Sequence, residues 1–195
     1  MNNLYLLIGE SGSGKSSIER KLVSNYGLKK VLSYTTRPVR DDDPNDVFTH
    51  TFVTKEEFDK LDNRVAYTKY DNNEYCATSS QLEEADIYVI DPDGVEYFLR
   101  AYKGRKVPIV VYLKAPDKLL VERMKRRGDS EAKIKARIEN DKVKFKACDG
   151  EYYTDYVIPV VDKGVEISAQ ELGVHLNAIQ FVECDNIRKT EVMLP

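Results

Sequence analysis

Residues 9–17 form the stretch GESGSGKSS, whose residue types suit phosphate chemistry. Its three glycines allow backbone angles that turn successive N–H groups toward one anion. Lys15 adds a positive charge beside them, and the Ser16 hydroxyl is a ligand that Mg²⁺ accepts. The spacing matches G-x-x-x-x-G-K-[ST], the P-loop pattern, so the stretch predicts binding of a nucleoside triphosphate with Mg²⁺. The predicted ATP-binding residues are Gly9, Glu10, Ser11, Gly12, Ser13, Gly14, Lys15, Ser16 and Ser17.

A second group of basic side chains follows in the segment SYTTRPVR. Arg37 and Arg40 are three positions apart, and Pro38 holds the backbone between them in an extended or turn conformation. Paired guanidinium groups are suited to a second phosphate, that of an acceptor. Taken alone, the pair would be interpreted as surface charge, but beside a P-loop the phosphate interpretation is favoured.

The elements that must position these residues alternate between strands and helices, which predicts an α/β protein with a parallel sheet. Residues 4–8 precede the P-loop as an apolar strand, and a helix over 15–25 follows it, with Gly27 in the C-cap position. Further strands are predicted at 29–36, 86–91 and 107–113 and around Tyr156, where Pro159 favours an edge or a strand end.

Three more helices are predicted between and after these strands. One starts at a capping box formed by Thr54 and Glu57, one follows Pro116, and one spans residues 166–179. Two stretches interrupt the alternation: residues 35–80 are polar, aromatic and irregular, and residues 126–149 are strongly charged and helical in composition. Both could cover a site as flaps, and the alternative is that both are solvated surface excursions.

Composition restricts the classes of function. The chain has 195 residues, which predicts one domain, and its formal net charge of -3 predicts binding to neither nucleic acid nor membrane. The apolar run at 4–8 has five residues, against about 20 for a membrane span. The cysteines, at 76, 148 and 184, are far apart and predict no disulfide framework or zinc site, which favours the reducing cytoplasm. The oligomeric state stays open.

In these motifs the chain resembles guanylate kinase and its relatives among the nucleoside monophosphate kinases. The resemblance lies in GESGSGKSS, SYTTRPVR, FTHTFVTKEEFDKL, EYCATSSQL, YVIDPDGVEYF, IVVYLKAPDKLLVERMKRRG and DYVIPV, in the family's order. It implies an α/β P-loop kinase fold with a parallel core sheet, an acceptor-binding insert and a helical lid. The implied parts are a core (1–33, 81–125 and 150–180), the insert (34–80), the lid (126–149) and a tail (181–195).

The resemblance also implies phosphoryl transfer from ATP to a nucleoside or deoxynucleoside monophosphate, with GMP or dGMP favoured. The implied catalytic residues are Lys15, Arg127 and Arg137, and Ser16 would hold the metal. The implied acceptor-binding residues are Ser33, Arg37, Arg40, His50, Tyr75 and Asp91, of which Ser33 and Asp91 would face the base.

Departures from the family pattern concentrate around the base and leave the acceptor open. His50 stands where the family has a tyrosine on the phosphate, and it could equally be a packed histidine. Ala66 and Val89 replace two carboxylates, one of them the glutamate that reads guanine, Cys76 replaces a glycine, and Val160 an asparagine. The alternatives are a kinase for another nucleotide or a sugar phosphate, or a non-catalytic interaction module. The intact Gly14-Lys15-Ser16 disfavours the module.

Overall fold

The computed structural model describes residues 3–40, 46–70, 72–148 and 154–160. The strands are β1 (Asn3–Ile8), β2 (Tyr34–Thr35), β3 (Thr51–Phe52), β4 (Arg64–Tyr70), β5 (Asn73–Thr78), β6 (Ile87–Val89), β7 (Val107–Lys114) and β8 (Tyr156–Pro159). The helices are α1 (Lys15–Tyr26), α2 (Lys55–Asp59), α3 (Ser79–Glu84), α4 (Pro92–Ala101), α5 (Asp117–Arg126) and α6 (Glu131–Lys144). Short 3₁₀ turns span Asp46–Phe48 and Phe145–Ala147.

The central sheet is parallel, with strands in the order β6-β1-β7-β8. Every residue of β1 is buried, because apolar side chains cover both faces of the sheet. On one face Tyr5 and Leu7 pack with residues of α1 and α5, and on the other Leu4 and Leu6 pack with residues of α4. This sheet fixes the carboxyl end of β1, from which the P-loop starts.

A second sheet, in the order β3-β2-β5-β4, holds most of the segment that was expected to be irregular. β4 and β5 form an antiparallel hairpin that closes at Tyr70 and Asn73, where Asn72 has a positive φ of 58°. The expectation of irregular structure over 35–80 was therefore wrong. The expected strand over 29–36 is also reduced to one bridge from Lys30 to Ile87 and the two residues of β2, which join the second sheet.

The helix ends follow their sequence signals. Gly27 adopts φ 69° after α1, and its N–H bonds the Val23 carbonyl. Thr54 and Glu57 form both hydrogen bonds of the predicted capping box. α3 and α4 were not predicted, and the helix expected at 166–179 lies outside the described residues. Across the ranges described above, the structure has no helix long and apolar enough to span a membrane.

Candidate active site

The P-loop connects β1 to α1 and wraps closely around its own backbone. Gly12 and Gly14 have φ angles of 86° and 98°, in the left-handed region that favours glycine. Gly9 was expected to need the same freedom, but it is absent from the positive-φ glycines. A Cβ there would lie 2.7 Å from the Ser13 Oγ and 2.8 Å from the Leu113 carbonyl oxygen. Gly9 is required for close approach rather than for an unusual φ.

Lys15 lies half-buried at the start of α1, with its side chain turned back along the loop. Its Nζ donates to the carbonyl oxygens of Gly9 at 2.5 Å and Glu10 at 3.1 Å. Burial lowers the pKa of the Lys15 ammonium, although the carboxylates of Asp141 and Glu10 act in the opposite direction. The Lys15 ammonium is thus held beside the P-loop. A phosphate bound there would carry more negative charge than the backbone carbonyl oxygens that Lys15 now contacts.

The cavity beside the P-loop is lined by arginines. Besides loop residues it is bordered by Arg40, Arg123, Arg126, Arg127 and Arg137. The Arg123 guanidinium donates to the Ser13 carbonyl at 2.9 Å and so supports the loop from α5. This cluster gives the cavity beside the P-loop, here called the donor cavity, a strongly positive wall.

The carboxylate of Asp129 contacts both Arg127 and Arg137. Arg127 Nε donates to its carboxylate at 2.9 Å and Arg137 at 3.2 Å, while Lys133 lies 3.3 Å away. Burial would raise the pKa of Asp129, but the hydrogen bond with Arg127 and the nearby cations lower it. The carboxylate therefore stays ionised and points both guanidinium groups to one place.

Arg37 forms a buried ion pair with Asp46. Its two terminal nitrogens donate to the carboxylate at 2.7 and 2.8 Å, and the Arg40 backbone N–H donates to the same group at 2.8 Å. Against burial, these hydrogen bonds lower the pKa of Asp46 to about 2. The Arg40 side chain is exposed and borders one cavity with Arg37, Arg127 and Arg137. Arg37 is thus oriented by a carboxylate that the motif did not indicate.

His50 borders two cavities, the one that Arg37 and Arg40 also border and a second one, here called the aromatic cavity, that Tyr70 and Phe145 also line. Its Nδ1 is 2.9 Å from the Ser33 Oγ, and its ring packs edge-on against Tyr75 and Phe52. Burial, reinforced by the charge of Arg37, lowers the pKa of His50 to about 4. The imidazole is neutral at pH 7, so it can donate one N–H to a phosphate while the other nitrogen contacts Ser33.

The aromatic cavity, which Lys15 also borders, combines aromatic and aliphatic side chains with polar ones. Tyr70, Tyr75, Val89 and Phe145 line it together with Ser33, Thr68, Asp91 and Lys144. Ala66, where the family resemblance implies a glutamate, lies 2% exposed in the core, whereas Thr68, two residues along β4, lines the cavity. The Cys76 thiol is buried, which raises its pKa to about 12, and Val160 belongs to the core.

Asp141, on α6, reaches the P-loop itself. Its carboxylate accepts a hydrogen bond from the Ser11 backbone N–H at 2.6 Å. Sequence reasoning also missed Asp46, Thr68, Asp129 and Lys144. The only signal for these residues was their place in polar segments, which is shared by many residues that face solvent.

A magnesium ion fits this arrangement if the nucleotide supplies most of its ligands. Within the described ranges there is no group of three or more His, Cys, Asp or Glu side chains that could hold a metal. Ser16 is exposed and borders the donor cavity beside Lys15. Mg²⁺ keeps several waters and binds through substrate phosphates in many such sites, so a single hydroxyl is an adequate protein contribution.

The fold and the site together define a P-loop kinase: a parallel sheet, a phosphate-binding loop after its first strand, and converging arginines. The profile of the AAA domain family matches residues 6–146. A guanylate kinase of Neisseria gonorrhoeae is 31% identical over 145 residues, which are 70% of this chain and 70% of that protein. The chain belongs to the guanylate kinase family of nucleoside monophosphate kinases.

A second relative agrees with that assignment, and a solved structure agrees with the fold. A guanylate kinase of Bartonella quintana is 29% identical over 175 residues, covering 85% of this chain and 76% of that protein. The crystal structure of guanylate kinase from Anaplasma phagocytophilum superposes with a TM-score of 0.65 at 23% identity. The match covers 92% of this chain and 87% of that one. The resemblance and the fold class predicted from the sequence are both confirmed.

Proposed function

We propose that this chain transfers the γ-phosphoryl group of ATP to GMP or dGMP. The observation that carries the proposal is the way three cavities adjoin around the P-loop. Lys15 borders both the donor cavity and the aromatic cavity. Arg127 and Arg137 border the donor cavity and the acceptor-phosphate cavity. The donor and acceptor phosphates would therefore lie side by side, as direct transfer requires, with the base in the aromatic cavity.

On the donor side, the loop amides and Lys15 would bind the β- and γ-phosphates. Mg²⁺ on the ATP, held by Ser16, would supply charge neutralisation and orientation of the phosphates. Arg127 and Arg137 would stabilise charge on the equatorial oxygens during transfer. Asp129 positions these two arginines, so its effect on the reaction would be indirect.

On the acceptor side, Arg37, Arg40 and Tyr75 would bind the monophosphate, and neutral His50 would donate an N–H to it. Ser33 would stand at the base. The acceptor phosphate is already an ionised nucleophile, so the reaction needs no covalent enzyme intermediate. Residues 34–80 would form the acceptor-binding insert, and closure of a lid at 126–149 would exclude water that could otherwise accept the phosphoryl group.

The test is a panel of acceptors with ATP and Mg²⁺, with ADP release measured against a reaction without acceptor. We expect GMP and dGMP to stimulate ADP release, Lys15→Met to abolish it, and chelation of Mg²⁺ by EDTA to stop it. Stimulation by a sugar phosphate but by no nucleotide would favour the alternative acceptor. No stimulation by any acceptor would favour the interaction module and refute the proposal.

We also place the reaction in the cytoplasm, because cysteine usage resembles that of proteins in a reducing compartment. The free thiols of Cys76 and Cys148 are compatible with that location. Fractionation of the native cells with an antibody to the chain tests it. Recovery from an oxidising compartment would contradict it.

A further inference from the structure

Asp91 and Asp141 are the acidic side chains that line the aromatic cavity, here called the base cavity, and the carboxylate of Asp91 is already engaged. Its Oδ1 accepts the Gly94 backbone N–H at 2.9 Å, which caps α4. Its Oδ2 accepts the Thr68 hydroxyl at 2.9 Å and the Lys144 ammonium at 3.1 Å. A carboxylate offers about four acceptor positions, so three hydrogen bonds leave little capacity for the amino groups of a base.

Lys144 brings a positive charge to the base cavity, next to the Asp91 carboxylate. It is the last residue of α6, its side chain is 16% exposed, and it borders the cavity. Its Nζ also lies 2.6 Å from the Asp93 carboxylate and 5.6 Å from the centre of the Tyr70 ring. Burial disfavours its charge, but the hydrogen bonds with Asp93 and Asp91 raise its pKa. Two carboxylates use two of its three N–H groups, which leaves one donor.

A second donor faces the same space from the preceding turn of the helix. Asn140, four positions before Lys144, borders the cavity. Its Nδ2 is buried and has no hydrogen-bond partner among the described residues. Residues four apart lie on one face of a helix. α6 therefore contributes two hydrogen-bond donors to the lining of the base cavity. The Asp91 carboxylate of the same cavity already accepts three hydrogen bonds.

We propose that Lys144 is the specificity-determining residue of the acceptor site, and that it recognises a carbonyl oxygen on the base rather than an amino group. This inference rests on the proposed function. Guanine and hypoxanthine carry an oxygen at position 6, while adenine carries an amine there. The adenine amine opposite the Lys144 ammonium would place two hydrogen-bond donors against each other. A site whose polar group is left unpaired by a ligand rejects that ligand.

The prediction for the unchanged chain concerns IMP, which has the 6-oxo group of GMP but lacks its 2-amino group. We expect kcat/KM for IMP within about 5-fold of that for GMP, because the Asp91 carboxylate is engaged and the Asp141 carboxylate accepts from the Ser11 backbone N–H at 2.6 Å. AMP should be worse by roughly 10–100-fold, the value of a charged hydrogen bond. Rejection of IMP by more than about 100-fold would overturn the inference, because it would require a free acceptor on the 2-amino group.

The variant Lys144→Met removes the donor and releases Asp91. We expect kcat/KM for GMP and IMP to fall, and the GMP to IMP ratio to rise by about 10-fold as the freed carboxylate accepts from the 2-amino group. Lys144→Arg should keep the ratio near that of the unchanged chain. The matched control is Lys142→Met on the same helix, where the lysine is 64% exposed and pairs with Asp117 at 3.0 Å.

Equal losses for GMP, IMP and AMP in Lys144→Met would indicate a structural role and overturn the inference. Calorimetric binding of the three nucleotides without ATP measures the same ratios independently of turnover. Absence of transfer to every acceptor, with intact binding ratios, would refute the proposed function alone. If Lys144→Met does not fold, the ratio of kcat/KM for IMP to that for GMP, in the unchanged chain and in Lys144→Arg, still tests the inference.

Discussion

Replacing Arg37 with alanine should destabilise the fold as well as the acceptor complex. The guanidinium is 9% exposed and donates two hydrogen bonds to Asp46, whose side chain is 2% exposed. Arg37→Ala would leave that carboxylate buried without its cation. Removing one partner of a buried ion pair costs about 3–5 kcal/mol, and we expect the free energy of unfolding to fall by that amount.

The lowered pKa of Asp46 leads to a second expectation for the same interaction. A fall from the usual 3.8 to about 2 corresponds to about 2 kcal/mol of stability at neutral pH. Because the folded-state pKa is depressed, this stability is present above about pH 4 and is lost as the pH falls toward 2. In Arg37→Ala that acid-dependent contribution should largely disappear.

Urea unfolding and thermal unfolding, both followed by circular dichroism at pH 7 and pH 3, measure both effects. In a chain of this length, each kcal/mol of stability changes Tm by about 2–4 °C. We therefore expect Arg37→Ala to lower Tm by roughly 6–20 °C. Arg40→Ala is the control, because its side chain is exposed, and should change Tm little. The double variant with Asp46→Ala should be less destabilised than Arg37→Ala alone. Equal stability of the Arg37 and Arg40 variants would refute the reasoning.

Three further variants test separate parts of the site. Lys15→Met should abolish ADP release with an unchanged far-UV spectrum, because its half-buried ammonium serves the phosphates; near-normal turnover would contradict its role. Asp141→Asn should lower KM for ATP by a few-fold, most at low salt, because it removes a negative charge 2.6 Å from the Ser11 amide; an unchanged KM would contradict this. Ala66→Glu should lower stability by several kcal/mol by burying a charge at a 2% exposed position, and an unchanged Tm would show that the position is not in the core.

Local patterns were sufficient for the P-loop and for most elements of the central sheet. The loop is specified within nine residues, since its glycines, lysine and serine act through neighbouring backbone. β1 and β7 were predictable because continuous apolar runs indicate strands buried on both faces. α2 was predictable from its capping box, which spans four residues. The second sheet was not, because β2 and β3 have two residues each and exist only through pairing with distant strands.

The sequence by itself determined the phosphate-binding loop, the α/β class and the candidate arginines, since short-range spacing encodes all three. The environments of those groups depended on long-range contacts. Asp46 reaches Arg37 from nine positions away, and Lys144 reaches Asp91 from 53 positions away. Pairing of a polar side chain depends on its distance and burial in the fold, which residue type does not encode. The phosphate-binding residues could therefore be predicted from the sequence, whereas the character of the base cavity depended on the contacts of Lys144, at the end of α6, with Asp91 and Asp93 at the start of α4.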